Sequence, residues 1–308
     1  MEENILIAED DKFLRLIIVE ILKHQKYNVI EAEDGQKAID IIESEDIDLA
    51  IVDLIMPKID GFELIKRIRN NPEKAHIPII ILSALSENKN IVKRISSGAD
   101  IYLSKPIENE ILLANIKNLL KRNKIIQDID SLTHLPGPLA LQEKFKRLKN
   151  NCNKGVFIYT DFDNFKEYND NYGFEMGSKF IYEYGKILVD EKSKLNLYNF
   201  SIWHIGGDDF AILIENSLEY KTYLYNIINI FKEKRLSFYK QEDKDKNHIT
   251  AKRRNGLYRD YSILTISSVV IFIDKLKVLG SEQFDNILIE TKKKAKAIKG
   301  FSLATAKL

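Results

Sequence analysis

The sequence has one cysteine, Cys152, in 308 residues. An internal disulfide or a thiolate metal cluster needs more than one, so both are excluded within the chain. Long apolar runs are missing as well. No stretch approaches the ~18 residues needed to cross a bilayer, and the opening MEENILIAEDD turns acidic before a signal peptide's apolar region could form. The expectation is a cytoplasmic protein without a membrane partner. Net charge is also nearly absent, since 47 Lys and Arg stand against 46 Asp and Glu. With that balance, and with nothing after residue 124 that reads as a helix-turn-helix, no nucleic acid partner is expected. His24, His76, His134 and His248 show no ligand spacing. His204, just ahead of two glycines, reads as a packing or capping residue.

What is present is the composition of a globular protein, 44% hydrophobic and 30% charged, with length enough for two domains. Over the first 105 residues, short apolar runs alternate with amphipathic segments. NILIA (4–8), NVIEA (28–32), LAIVD (49–53), IPIIIL (77–82) and DIYLS (100–104) read as strands. FLRLIIVEILKHQ, GQKAIDIIESE, GFELIKRIRNN and ENKNIVKRISSG repeat apolar residues at helical spacing. This alternation predicts an α/β fold with a doubly wound, five-stranded parallel sheet, whose ligands sit beyond the carboxyl ends of the strands.

Chemically able residues collect at those ends. Glu9 and Asp10 follow the first strand, Asp53 closes the third, Ser83 follows the fourth, and Lys105 and Pro106 follow the fifth. Converging carboxylates repel one another unless a cation lies among them, and an oxygen-only ligand set suits Mg²⁺. A lysine and a hydroxyl beside them suit a phosphoryl group carried on a carboxylate. With AEDD, VDLIMPKIDG, LSA and GADIYLSKP in this order, residues 1–122 resemble a response-regulator receiver domain. The resemblance implies phosphorylation of Asp53 by a histidine kinase or phosphotransfer protein, with Mg²⁺ held by Glu9 or Asp10, by Asp53 and by the Ile55 carbonyl. It also implies phosphoryl contacts from Ser83 and Lys105, a switching aromatic at Tyr102, and a cis Lys105–Pro106 bond.

ENEILLANIKNLLKRNKIIQDI (108–129) has no Gly or Pro. Its three-four apolar spacing predicts a helical stalk that continues the receiver's last helix, against the plainer alternative of one buried helix ending near Lys124. Beyond it, VFIYTD brings an apolar run to Asp161, and SIWHIGGDDFAIL places Gly206, Gly207, Asp208 and Asp209 between two alternating runs. A Gly-Gly pair there is either a plain hairpin turn or a place where phosphate approaches bare backbone beside a metal-holding carboxylate. Antiparallel pairing of these strands would put Asp161 and Asp208 at one sheet edge, able to clamp metal ions against a triphosphate.

DSLTHLP, DFDNFKEYND, YGF and GGDDF resemble the GGDEF domain of diguanylate cyclases over residues 130–308. That family joins two GTP molecules into cyclic di-GMP, one GTP per domain of a dimer. The implied fold is α+β, of the nucleotidyl-cyclase and polymerase-palm type. Carried onto this sequence, Asp161, the Phe162 carbonyl and Asp208 hold metal, Gly206 and Gly207 line the phosphates, Asn169 recognises guanine, and Lys166 and Lys296 neutralise phosphate charge. Asp163 and Asp209 are weaker candidates, Asp163 having helix capping as its alternative.

This sequence departs from that pattern in several places. Ser178 stands where the family has a guanine-pairing Asp, and Phe301 where an Arg follows the last helix's glycine, with Lys299 as a substitute for its charge. Gly137 and Pro138 replace the usual Asn-Arg. LYNF (197–200) lacks both charges of the family's product-binding tetrapeptide, and a charged segment, 234–261, is inserted before SILTISSVVIFI. Two functions therefore remain open: a phosphorylation-controlled, homodimeric diguanylate cyclase, or a degenerate GGDEF module that holds GTP or docks a partner without catalysis.

Overall fold

The structure, a computed structural model, describes residues 3–84, 98–195, 199–215, 219–252 and 258–308. The helix expected from residue 87 lies outside these residues until Gly98, as do positions 197 and 198 of LYNF and residues 253–257 of the inserted segment. The chain divides into two compact units, Met1–Gln127 and Asp128–Leu308.

In the first unit, β1 (Asn4–Ala8), β2 (Asn28–Ala32), β3 (Leu49–Asp53), β4 (Ile79–Ala84) and β5 (Ile101–Lys105) form one sheet in the order β2-β1-β3-β4-β5. Every pairing in it is parallel. The inner strands β1, β3 and β4 are buried on both faces, which is why they read as nearly unbroken apolar runs, while the edge strands β2 and β5 are only partly covered. Ile5, Ile7, Leu49 and Ile51 face α1 (Lys12–His24) and α4 (Asn109–Gln127). Leu6, Ala8, Ala50 and Val52 face α2 (Gly35–Ser44) and α3 (Gly61–Asn70). The first three helices start where Asp11, Asp34 and Asp60 accept hydrogen bonds from the opening backbone amides, the usual role of an N-cap carboxylate. β4 begins two residues later than the apolar run suggests, because Pro78 has no N–H to give and offers only its carbonyl, to the Ala50 amide.

Helix α4 runs through Gln127. Leu112, Ile116, Leu119 and Leu120 of its apolar spacing are buried against the first unit's sheet, while Ile111 and Ile126 are exposed.

The second unit centres on a sheet in the order β12-β11-β6-β8-β7. Its strands are β6 (Gly155–Asp163), β7 (Phe200–Gly206), β8 (Asp209–Glu215), β11 (Thr265–Ile273) and β12 (Ser302–Lys307). All neighbours pair antiparallel except β11 and β12. Helices α6 (Phe165–Tyr172), α7 (Phe174–Leu195) and α8 (Tyr220–Lys234) cover one face through an aromatic core in which Phe162 packs on Phe180, Tyr184 and Phe231. Helices α5 (Pro138–Arg147) and α10 (Glu282–Ala297) cover the other, with Phe284 packed edge-on to Phe157.

The inserted segment is folded onto this frame. A short α9 (Gln241–Lys246) precedes β9 (His248–Lys252) and β10 (Tyr258–Ser262), which pair antiparallel as a separate ribbon. Three tyrosines tie it down: Tyr168 donates to the Phe238 carbonyl at 2.9 Å, Tyr239 accepts from the Leu264 amide at 2.9 Å, and Tyr172 donates to Asp243.

Candidate functional site

In the first unit, the carboxyl ends of β1, β3 and β5 bring Glu9, Asp10, Asp53 and Lys105 together. Carboxylate oxygens of Glu9, Asp10 and Asp53 lie within 4.8 Å of one another. Lys105 Nζ donates to Asp53 at 2.7 Å and to Glu9 at 2.8 Å. Burial pushes the Glu9 carboxyl up to about 7, with Lys105 pulling down and the Asp53 charge pushing further up. Burial also lowers Lys105, but its bonds to Asp53 and Glu9 outweigh that and hold its pKa above the usual value. Ser83 is buried at the end of β4, Tyr102 is half-buried on β5, and Ile55 is exposed with its amide 3.4 Å from Asp53 Oδ1. The Lys105–Pro106 bond is cis.

In the second unit, Asp161 lies near the end of β6, and antiparallel pairing with β8 brings the β7–β8 turn beside it. The turn is tight. Gly207 takes φ 59°, the positive value that the first central residue of a two-residue hairpin needs. Gly206 sits at an irregularity in the β7–β8 register with φ 138°. A Cβ added at either glycine would meet nothing within 4 Å, so the backbone here faces open space.

The charges around this turn are arranged in layers. Lys292 and Lys296, one turn apart on α10, both reach Asp161, Lys292 at 2.9 Å. Lys292 also pairs with Asp209 at 3.2 Å and accompanies the Tyr159 hydroxyl at 3.0 Å. Lys296 donates to the Phe162 carbonyl at 3.0 Å and pairs with Asp163 at 3.2 Å. Burial works to raise Asp161, yet the two lysines hold it below the ordinary carboxylate range. Asp208 has less help: burial, then the charges of Asp161 and Asp209, push it up to about 6. Asp209 is raised by burial in the same direction.

Asp163 does not cap α6. Its oxygens accept from the Thr265 and Ser267 hydroxyls at 2.7 and 2.6 Å across the β6–β11 pair, while Asn164 occupies the cap with a left-handed backbone and no side-chain cap bond. Asn169 packs against Gly177 on α7, and its Oδ1 is buried with no hydrogen-bond partner. Such an atom costs roughly 1–3 kcal/mol unless a donor reaches it. Ser178 is half-buried on the same helix, and Lys166 and Lys299 are exposed.

Comparison with known proteins divides the chain at the same place as its packing. Residues 5–117 match the response regulator receiver domain, and residues 127–254 match the diguanylate cyclase, GGDEF domain. The chain carries a response regulator receiver domain followed by a GGDEF domain. The GGDEF match ends within the inserted segment, so β11, α10 and β12 lie beyond it.

The receiver is similar to the response regulator GtcR of Aneurinibacillus migulanus, 38% identical over 122 residues, 40% of this chain and 49% of that protein. It is also similar to the response regulator ArlR of Staphylococcus epidermidis, 40% identical over 131 residues, 42% of this chain and 58% of that protein. The chain thus spans about half the length of these curated relatives. Among solved structures, the Francisella response regulator 1452 receiver domain is 32% identical, covering 39% of this chain and 98% of that one, with a TM-score of 0.37. No described helix is long and apolar enough to cross a membrane.

Two neighbours of Asp161 and Asp209, Lys292 and Tyr159, were not singled out from the sequence. Lys292 was one lysine in KKKAKAIKG, and only the i, i+4 relation to Lys296 on the face toward Asp161 distinguishes it. Tyr159 lies two residues before Asp161 on β6, so it shares that strand face.

Proposed function

We propose that this protein is a response regulator in which phosphorylation of Asp53, by a histidine kinase or phosphotransfer protein, controls a GGDEF output domain that converts two GTP into cyclic di-GMP. The observation that carries the output reading is the Gly206–Gly207 turn beside Asp161: open backbone, carboxylates behind it and lysines around it. Burial, then the charges of Asp161 and Asp209, raise Asp208, and Lys296 offsets them only in part, so a cation here would relieve it. Oxygen donors from Asp161, Phe162 and Asp208 suit Mg²⁺, as do Glu9, Asp10 and Asp53 in the receiver. At either site the ion would supply neutralisation of phosphate oxygens.

The protein's own groups take the remaining roles. The unpartnered Asn169 Oδ1 would accept from the guanine edge, and Gly206 and Gly207 would admit the phosphates without steric conflict. In each half of the reaction a ribose 3′ oxygen forms a bond to the α-phosphorus of the other GTP and pyrophosphate leaves, so a homodimer with one GTP per domain is required. No membrane or nucleic acid takes part.

A second reading has its own support. Asp161 is bracketed by Lys292 and Lys296, and the Arg of the last helix is Phe301, which suits a module that holds GTP without turning it over. Mass analysis of GTP and Mg²⁺ incubated with the phosphorylated protein separates the two. Cyclic di-GMP supports the enzyme; GTP bound and recovered intact supports the module.

A further inference from the structure

Between the inserted segment and the end of α10 the GGDEF unit forms an open cavity of about 740 Å³, within the range of small-molecule sites. Its wall carries four cations, Arg235, Arg259, Lys296 and Lys299, against two carboxylates, Asp163 and Asp260. Those carboxylates are already engaged. Asp163 holds Lys296 and two hydroxyls, and Asp260 accepts from Thr250 at 2.7 Å. Among the described residues, Arg235, Arg259 and Lys299 form no ion pair with a carboxylate.

Arg235 is the most constrained of the three. Its guanidinium lies 4.7 Å from the centre of the Phe301 ring, and its Nη1 donates to the Leu264 carbonyl. Its Nε is buried and donates to nothing. The ring at 301, where the resemblance leads one to expect an Arg, is therefore the surface on which a different arginine is stacked. A positive charge missing from the last helix is returned from the inserted segment.

We propose that this cavity binds the polyphosphate end of a nucleotide, with Arg235, Arg259 and Lys299 as its phosphate-binding groups. The assignment to a nucleotide rests on the reading of the acidic site given above, because Lys296 belongs to both places: it pairs with Asp161 and lines the cavity. Lys296 bonds Asp161 and the Phe162 carbonyl on one side and lines the cavity on the other, so the two places share one phosphate-neutralising cation. Guanidinium forks suit phosphate oxygens, and no carboxylate among the described residues competes for Arg235, Arg259 or Lys299.

The test is calorimetric titration of the full chain with inorganic tripolyphosphate in the presence of EDTA, followed by GTP with Mg²⁺. Tripolyphosphate should bind, and Arg235→Gln and Lys299→Gln should each weaken it about tenfold or more. Lys299 is exposed and makes no described side-chain contact, so its variant stays informative if Arg235→Gln fails to fold. Absence of tripolyphosphate binding, or folded variants that bind it like the parent, overturns the site. Tripolyphosphate bound and lost in the variants, with GTP bound by none, keeps the site and overturns its assignment to a nucleotide. GTP bound equally by parent and both variants leaves the nucleotide reading standing and overturns the cavity's role.

Discussion

His204 Nδ1 lies 3.0 Å from a carboxylate oxygen of Asp130, and its Nε2 lies 2.9 Å from the Gly207 carbonyl. A carbonyl only accepts, so Nε2 carries a proton. The ring stacks on Phe210 at 4.5 Å and is buried. One side chain thus ties the DSLT turn near the start of the second unit to the Gly206–Gly207 hairpin.

Asp130→Asn should loosen that tie. Folding lowers the Asp130 pKa: burial works upward, but bonds from the Thr133 amide and hydroxyl, and then His204, outweigh it. A carboxyl depressed on folding adds stability above its unfolded value, near pH 4, and loses it as pH falls through the folded value. At neutral pH the variant should be about 1 kcal/mol less stable, and its stability should fall less steeply than the parent's below pH ~4. Trp203, the only tryptophan and buried on β7, reports urea unfolding of this unit by fluorescence. Superimposable curves at both pH values would count against the role.

Gly177→Ala should act on guanine recognition. A Cβ there would fall 1.9 Å from Asn169 Oδ1, so the amide must move. Overpacking of this kind costs ~1–3 kcal/mol, partly offset by alanine's better helix propensity of about 1 kcal/mol. The fold should survive while preference for GTP over ATP falls about tenfold. Competition binding of the two nucleotides measures it, and an unchanged preference argues that Asn169 does not read the base.

Asp53→Asn should abolish labelling by a small phosphodonor, and chelation of Mg²⁺ should do the same to the parent protein. Lys105 contacts both Asp53 and Glu9, so Lys105→Gln should leave Glu9 and Asp53 facing each other uncompensated and slow labelling as well. Radiolabel retained on the Asn variant would mean that another group accepts the phosphate.

The receiver was legible because its inner strands are buried on both faces and its described helices on one, so period and run length separate them cleanly. Its boundary slip at β4 came from a single proline, Pro78. The apolar spacing of α4 was harder to read, since the same three-four pattern packs a helix on its own sheet or on another helix; Leu112, Ile116, Leu119 and Leu120 take the first course. In the GGDEF domain, motif residues stood out and their partners did not. Lys292 is indistinguishable from a solvated lysine until α10 is placed beside β6. Arg235 is meaningful only because Phe301, far along the chain, lies under it.

Phosphate on Asp53 is expected to govern synthesis at the Asp161–Asp208 site. The direct measurement is the rate of cyclic di-GMP formation from GTP and Mg²⁺, by mass, for the protein with and without phosphodonor, beside Asp53→Asn and Asp208→Asn. Product should rise on phosphorylation, stay at the basal rate in Asp53→Asn, and be absent in Asp208→Asn. No product from phosphorylated protein, or a rate indifferent to both substitutions, would contradict it.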